Sequence, residues 1–175
     1  MPDGSMQALN ALRRVDFTDN SGRPFRNALG RFATGVTVVT AKTPQGPIGM
    51  TANSFSSVSM DPPLVMWCPA KASSRFASFA NASHFAIHVL GEDDEAIAMN
   101  FARSGQAFAG LDVSENRHGV PLLNRCLARF ECTMHQLHEA GDHAIILGRV
   151  TSAAFREGEA LIFSQGTFRR FDKKA

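Results

Sequence analysis

Between residues 49 and 65 the chain reads GMTANSFSSVSMDPPLV, a run of short polar side chains held between two apolar, strand-like stretches. Thr51, Asn53, Ser54, Ser56, Ser57 and Ser59 crowd hydroxyl and amide groups into nine residues, while Ala52, Phe55 and Val58 interleave apolar surface. Side chains this short let a ligand approach the backbone, and the mixture suits a planar ligand with a polar tail. The same composition also reads as a Ser-rich loop closed by the Asp61-Pro62-Pro63 turn. The segment alone does not choose between a lining and a loop, so the rest of the chain must decide.

At 175 residues, with 44% hydrophobic and 19% charged side chains, the chain is long enough for one domain with a sizeable core. A single domain over residues 21–175 is expected, preceded by a flexible lead-in over residues 1–20 that carries Gly4 and Ser5 and no sustained apolar pattern. The net charge is only +2, and the basic residues are scattered apart from Arg169, Arg170, Lys173 and Lys174, so no stripe for nucleic acid is expected. No run approaches the roughly 20 apolar residues that span a bilayer, and the N-terminus has no signal-peptide core. Cys68, Cys126 and Cys132 are odd in number and match neither a disulfide framework nor a CxxC knuckle, which makes a reducing, cytoplasmic compartment the expected setting.

Secondary structure follows from periodicity. Pro24 suits a first helical turn, and Phe25, Ala28, Leu29 and Phe32 recur at helical spacing, which predicts an amphipathic helix over 21–32. The β-branched run over 35–42 and the run from Ile48 predict a hairpin about Pro44 to Gly46. Residues 63–68 read as a third strand buried on both faces. Ser73 and Ser74 precede Phe76, Phe79 and Ala80, an N-cap and a helix. Residues 84–90 alternate as a strand with two distinct faces. Residues 92–103 open with four acids and read as a second helix followed by a polar loop. Residues 127–137 and 143–155 read as long strands, and 160–163 with 167–171 as a closing pair about Gln165-Gly166. This many largely antiparallel strands with few helices point to a β-barrel decorated by helices, because closure removes exposed edges. A doubly wound sheet is disfavoured, since no GxGxxG follows a strand.

The ordered series Phe32-Ala33-Thr34-Gly35-Val36-Thr37-Val38-Val39-Thr40, Gly49-Met50-Thr51-Ala52-Asn53-Ser54-Phe55, Asp61-Pro62-Pro63-Leu64-Val65, Ser73-Ser74 and Gly141-Asp142-His143 resembles the short-chain flavin reductases. These are small partners of two-component flavin monooxygenases, and the resemblance runs from about Phe25 to Phe171. It implies a mainly β split-barrel homodimer that binds FMN or FAD near the subunit interface. It also implies hydride transfer from NADH or NADPH to the flavin and delivery of reduced flavin to a partner monooxygenase. The missing GxGxxG is then no objection, because a nicotinamide can stack on the flavin itself.

An isoalloxazine needs an apolar slot with polar groups at its edge, and its ribityl phosphate needs donors. Thr51, Ala52, Asn53, Ser54, Ser57 and Val58 could supply the first. Ser73, Ser74 and Arg75 stand at a predicted helix start and are the phosphate candidates; read plainly, a serine caps the helix and Arg75 stays solvated. The resemblance adds Phe101, Ala102 and Arg103, the stretch that closes over the phosphate side, although Phe101 reads equally as a core contact. Cys68, Pro69 and Ala70 would run beside the flavin, Cys68 as a small side chain rather than a reactive thiol. By itself His143 is a turn histidine; the resemblance sets it beside the nicotinamide, positioning and polarising rather than acting as an obligatory base. Arg169 and Arg170 could serve a 2'-phosphate or remain surface charges. Cys132, His135 and His138 are three apart on a strand and so alternate in face, and His84 and His88 lack a third ligand, so no metal is expected. The competing class is a non-catalytic flavin-binding or flavin-carrier split-barrel protein.

Overall fold

The computed structural model describes residues 12–18 and 21–171. The lead-in expected over 1–20 therefore lies largely outside the described residues, as do Lys173 and Lys174. Along the chain run α1 (Arg23–Leu29), β1 (Thr34–Gly35), β2 (Thr37–Thr43), β3 (Gly46–Ala52), β4 (Ser56–Met60), β5 (Pro63–Trp67), α2 (Phe76–Ala80) and β6 (His84–Val89). They are followed by α3 (Glu95–Arg103), β7 (Val113–Glu115), β8 (Pro121–Leu123), β9 (Ala128–Ala140), β10 (His143–Phe155), β11 (Ile162–Ser164) and β12 (Thr167–Arg169).

Seven strands form one antiparallel sheet in the order β3-β2-β6-β9-β10-β5-β4. Its two edge strands, β3 and β4, are consecutive in the chain, so the short link between them brings the sheet's ends together: this is a split β-barrel. The hairpins β2–β3 and β9–β10 run the length of their strands, the latter with two bulges and about a two-residue Gly141-Asp142 turn. The barrel interior holds Val39, Met50, Val65, Trp67, Phe79, Phe85, Ile87 and Ile146. Trp67, the only tryptophan in the chain, meets Phe79 edge-on at 5.1 Å between ring centroids.

A second core lies outside the barrel wall, where Val36 and Val38 meet Leu90, Ala98, Phe101, Leu123 and Leu161. β2 is thus buried on both faces, which its unbroken β-branched run permits. Phe101 of α3 lies against bare backbone: a Cβ on Gly49 would come within 2.5 Å of the Phe101 ring. Thr51 Oγ1 donates to Ala98 O at 2.6 Å, tying the same helix to β3.

Four expectations need correction. β5 buries only alternate residues, because its outer face is not covered by another layer. The two faces of β6 are not distinguished by burial, because the β7–β8 hairpin, expected as loop, covers the outer face with Val120 and Leu122 on Ala86. Neither Ser73 nor Ser74 is the N-cap of α2; Arg75 is, without a side-chain cap bond, while Ser73 Oγ accepts from Arg75 N at 3.3 Å. α1 ends at Leu29, short of the expected residue 32, and its apolar face is uncovered: no α1 residue is buried, Phe25 and Leu29 are 46% and 59% exposed, and Phe32 beyond the helix is 79% exposed.

His88 lies wholly inside the protein. Its Nδ1 is 3.0 Å from Val38 O and its Nε2 accepts Leu123 N–H at 3.1 Å, so it is the neutral Nδ1–H tautomer that fits. Burial, with a smaller contribution from Arg129, lowers its pKa from 6.5 to about 4, against the opposing pull of the Val38 bond. A histidine kept neutral in the fold contributes stability that is complete above pH 6.5 and is lost as the pH falls from 6.5 towards 4. The shift is equivalent to on the order of 3 kcal/mol. In urea unfolding, His88→Gln should be the less stable protein at pH 7, and its deficit should shrink towards pH 4; a deficit independent of pH would rule out the neutral imidazole. Gly49→Ala should cost roughly 1–3 kcal/mol by driving a methyl into the Phe101 ring. Phe101→Leu in the same chain should recover part of that loss in the same assay.

Candidate functional site

The small-residue run leaves the barrel where β3 ends. Ala52 and Ser54 are half-buried and Asn53 is exposed, while Phe55 turns back to stack on Phe130 at 5.4 Å and anchors the link to β4. Ser54 Oγ accepts Cys68 N–H at 2.9 Å and lies 3.4 Å from Cys68 O. One hydroxyl thus joins the end of β3 to the residue after β5.

From there the backbone meets the mouth of the β9–β10 hairpin. Ala70 bridges His143, Ala144 N–H donates to Pro69 O at 3.1 Å and Lys71 N–H to Asp142 O at 2.9 Å. An ion pair between Lys71 and Glu139 lies across the same junction. Ala52, Asn53, Ser54, Cys68, Pro69, Ala70 and His143, separated by up to 91 positions in the chain, therefore form one connected patch.

His143 Nδ1 is 2.8 Å from Asp142 Oδ1. A carboxylate can only accept, so Nδ1 carries the proton and, in the neutral ring, Nε2 is left as an acceptor. The His143 bond holds the exposed Asp142 carboxyl below its ordinary pKa. Burial pushes the Cys68 thiol up, so it is a neutral side chain and not a nucleophile at neutral pH.

A groove of about 440 Å³ is lined by Gln45, Pro47, Ser74, Ser78, Arg103 and Gln106, and the turn that leads from the patch to Ser74 is closed by Ser73 N–H donating to Ala70 O at 3.1 Å. Arg75 also borders the groove, but its guanidinium is engaged. Nη1 donates to Gly49 O at 3.1 Å and Phe101 O at 2.5 Å, and Nη2 to Ala102 O at 3.0 Å. Arg103, by contrast, is exposed, and its guanidinium makes no hydrogen bond or ion pair among the described residues.

Other expected residues are placed apart. Thr51 gives its hydroxyl proton to α3, and Phe101 is wholly buried in the outer core, edge-on to Phe108 at 4.9 Å, so it is a floor beneath the site and not part of its lining. Ser57 and Val58 are exposed on the edge strand β4, with a bulge between Ser57 and Ser59. Arg170 pairs with Asp93 at 3.1 Å. Cys132 faces the core while His135 and His138 face solvent, His84 stacks on His118 and not with His88, and no cluster among the described residues could hold a metal ion. Gln45, Ser78 and Gln106 were missed from sequence because single polar residues in turns and helices carry no periodic signal.

The groove falls within the usual volume of small-molecule sites, and its hydroxyls, amides and unpaired arginine fit an anionic tail, while the small-residue patch fits a flat ring. An FMN or FAD is therefore compatible with the side chains present.

The SmoA protein of Agrobacterium fabrum, an FMN reductase using NADH, is 58% identical over 154 residues, which are 88% of this chain and 88% of that protein. The reductase component of a flavin-dependent trigonelline monooxygenase from Acinetobacter baylyi is 48% identical over 141 residues; these are 78% of this chain but only 46% of that longer protein. Among solved structures, the NADH:FAD oxidoreductase SgcE6 of Streptomyces globisporus superposes with a TM-score of 0.87 at 39% identity, over 94% of this chain and all of that one. That enzyme has also been solved with NAD and FAD fragments. Residues 29–172 match the family model for the flavin reductase like domain, and the chain belongs to that family.

Proposed function

We propose that this chain is an NADH-using flavin reductase that passes a hydride from the nicotinamide to FMN or FAD and releases reduced flavin to a partner monooxygenase. The observation that carries the reading is the joining of the small-residue end of β3, residues 68–70 and His143 into one patch, which the Ala70–Ser73 turn links to a polar groove. The names of the relatives support the same chemistry.

When bound, the flavin supplies the hydride-accepting centre and the dihydropyridine the hydride. The protein's part is placement. Ala52, Asn53, Ser54, Cys68, Pro69 and Ala70 would hold the flat ring, and Ser57 and Val58 on β4 would reach it only at its edge. Ser73, Ser74 and Arg103 would take the phosphate end. Thr51, Phe101 and Ala102 support that surface from α3 and β3. His143, held by Asp142, would offer Nε2 to the nicotinamide carboxamide N–H. Hydride transfer requires no protein base.

A second copy of the chain completes the assembly in this reading. Phe25, Leu29 and Phe32 beside α1, Met60 on β4 and Phe155 at the end of β10 are large apolar side chains left in water, and a homodimer would cover them. The free cysteines suit a reducing, cytoplasmic setting, and no described helix is long and apolar enough to cross a membrane.

Mixed anaerobically with NADH and excess FMN or FAD, the protein should bleach the flavin absorbance over many turnovers. Flavin binding should quench Trp67, whose neighbour Cys68 borders the patch. Quenching without bleaching by either NADH or NADPH would identify a flavin carrier instead. His143→Ala should raise the KM for NADH roughly 3- to 10-fold, the loss of one hydrogen bond, and leave flavin Kd within about 2-fold; equal losses on both ligands would remove the nicotinamide role.

A further inference from the structure

We propose that Arg75 is a positioning residue for the flavin site and not a phosphate ligand: its guanidinium clamps the C-terminal turn of α3 onto β3 and so sets the wall that Arg103 and Gln106 present to the groove. This rests on the flavin-reductase reading above.

The argument begins with the helix end. The last carbonyls of an α-helix have no partner within it and carry the negative end of its dipole. In α3 the backbone of Ser104 reaches Asn100 O at 2.9 Å, while Phe101 O and Ala102 O are left over. Arg75 satisfies both, and with the same Nη1 also reaches Gly49 O on β3. A planar fork can hold carbonyls from two elements at once; an ammonium offers a single point of charge.

Packing points the same way. A Cβ on Gly105 would fall 2.9 Å from Arg75 Cδ and 3.0 Å from Ile48 Cγ1, so the arginine stem and β3 press on bare backbone there. Gly49 N–H donates to Gly105 O at 2.8 Å, a further tie between β3 and the segment after α3. Swinging the guanidinium out to a phosphate would break three bonds and leave the two helix-end carbonyls without a donor. Arg103, one residue beyond those carbonyls, has no such commitments and is the cation free to meet an anion.

The test compares riboflavin, FMN and FAD. Arg75→Ala should raise the Kd of all three by a similar factor, roughly 10-fold, the scale of charged hydrogen bonds lost. Flavin KM should rise with kcat at saturation retained, a split that mere loss of folded protein would not produce. Arg103→Ala should weaken FMN and FAD and spare riboflavin. Amide hydrogen exchange over residues 102–106 should accelerate in Arg75→Ala without any flavin present, so this arm stands even if wild type proves unable to reduce flavin. Arg75→Lys, which keeps the charge, should retain most of the Kd defect and serves if the alanine variant does not fold. Loss of FMN and FAD affinity with riboflavin spared, unchanged exchange over 102–106, or a lysine variant equal to wild type would each overturn the proposal.

Discussion

The contact between the Phe101 ring and the bare backbone at Gly49 decides where α3 lies, and much of the site depends on where α3 lies. Any side chain at position 49 would hold the ring off the strand. With glycine there, Phe101 is completely buried, an apolar burial worth roughly 2–3 kcal/mol. At that distance Ala98 O comes within reach of Thr51 Oγ1, and the helix end comes within reach of Arg75, which enters from the link between β5 and α2. A hydrophobic contact thus sets the spacing that the polar contacts then make specific.

The opposite side of the site is held by different means. β9 and β10 are 13 residues each, paired from Ala128↔Phe155 to Ala140↔His143. A hairpin that long delivers its turn to a place fixed by the whole barrel wall, and backbone bonds from residues 69 and 71 lock the turn in register. His143 is therefore a loop-end residue on a rigid scaffold, the usual arrangement for a binding group. Ser54 links the two sides through Cys68, so a strain at either would be felt at the other.

The barrel was legible in the sequence because its strands carry local signals: β-branched runs, alternation, and turns at Pro44, Gly141 and Gly166. The ordered motifs carried the family. The departures come from information that is not local. Whether β6 has one buried face or two depends on β7–β8, six residues in strands too short to show alternation. Whether Phe25 and Leu29 are covered depends on a surface that is not in the same chain segment. Ser73-Ser74 looks like an N-cap, yet the helix begins at Phe76, two residues later than a Ser73 cap would start it. The role of Arg75 was the least legible of all, since an arginine after two serines reads as an anion site. Only the fold shows carbonyls from positions 49, 101 and 102 converging on it.

The protonation states of the patch bear on its chemistry. The Cys68 thiol is driven up by burial and is no base or nucleophile at neutral pH. The Asp142 carboxyl is held low by His143 and stays a carboxylate, which fixes the imidazole proton on Nδ1 and leaves Nε2 able only to accept in the neutral ring. A hydride carries its own electron pair, so its transfer asks for no proton from the patch. What it asks for is two flat rings at stacking distance with their substituents held. A surface built of alanine, serine and proline, clamped by one arginine fork and one long hairpin, meets that demand: small side chains allow close approach, and the rigidity comes from what lies behind them.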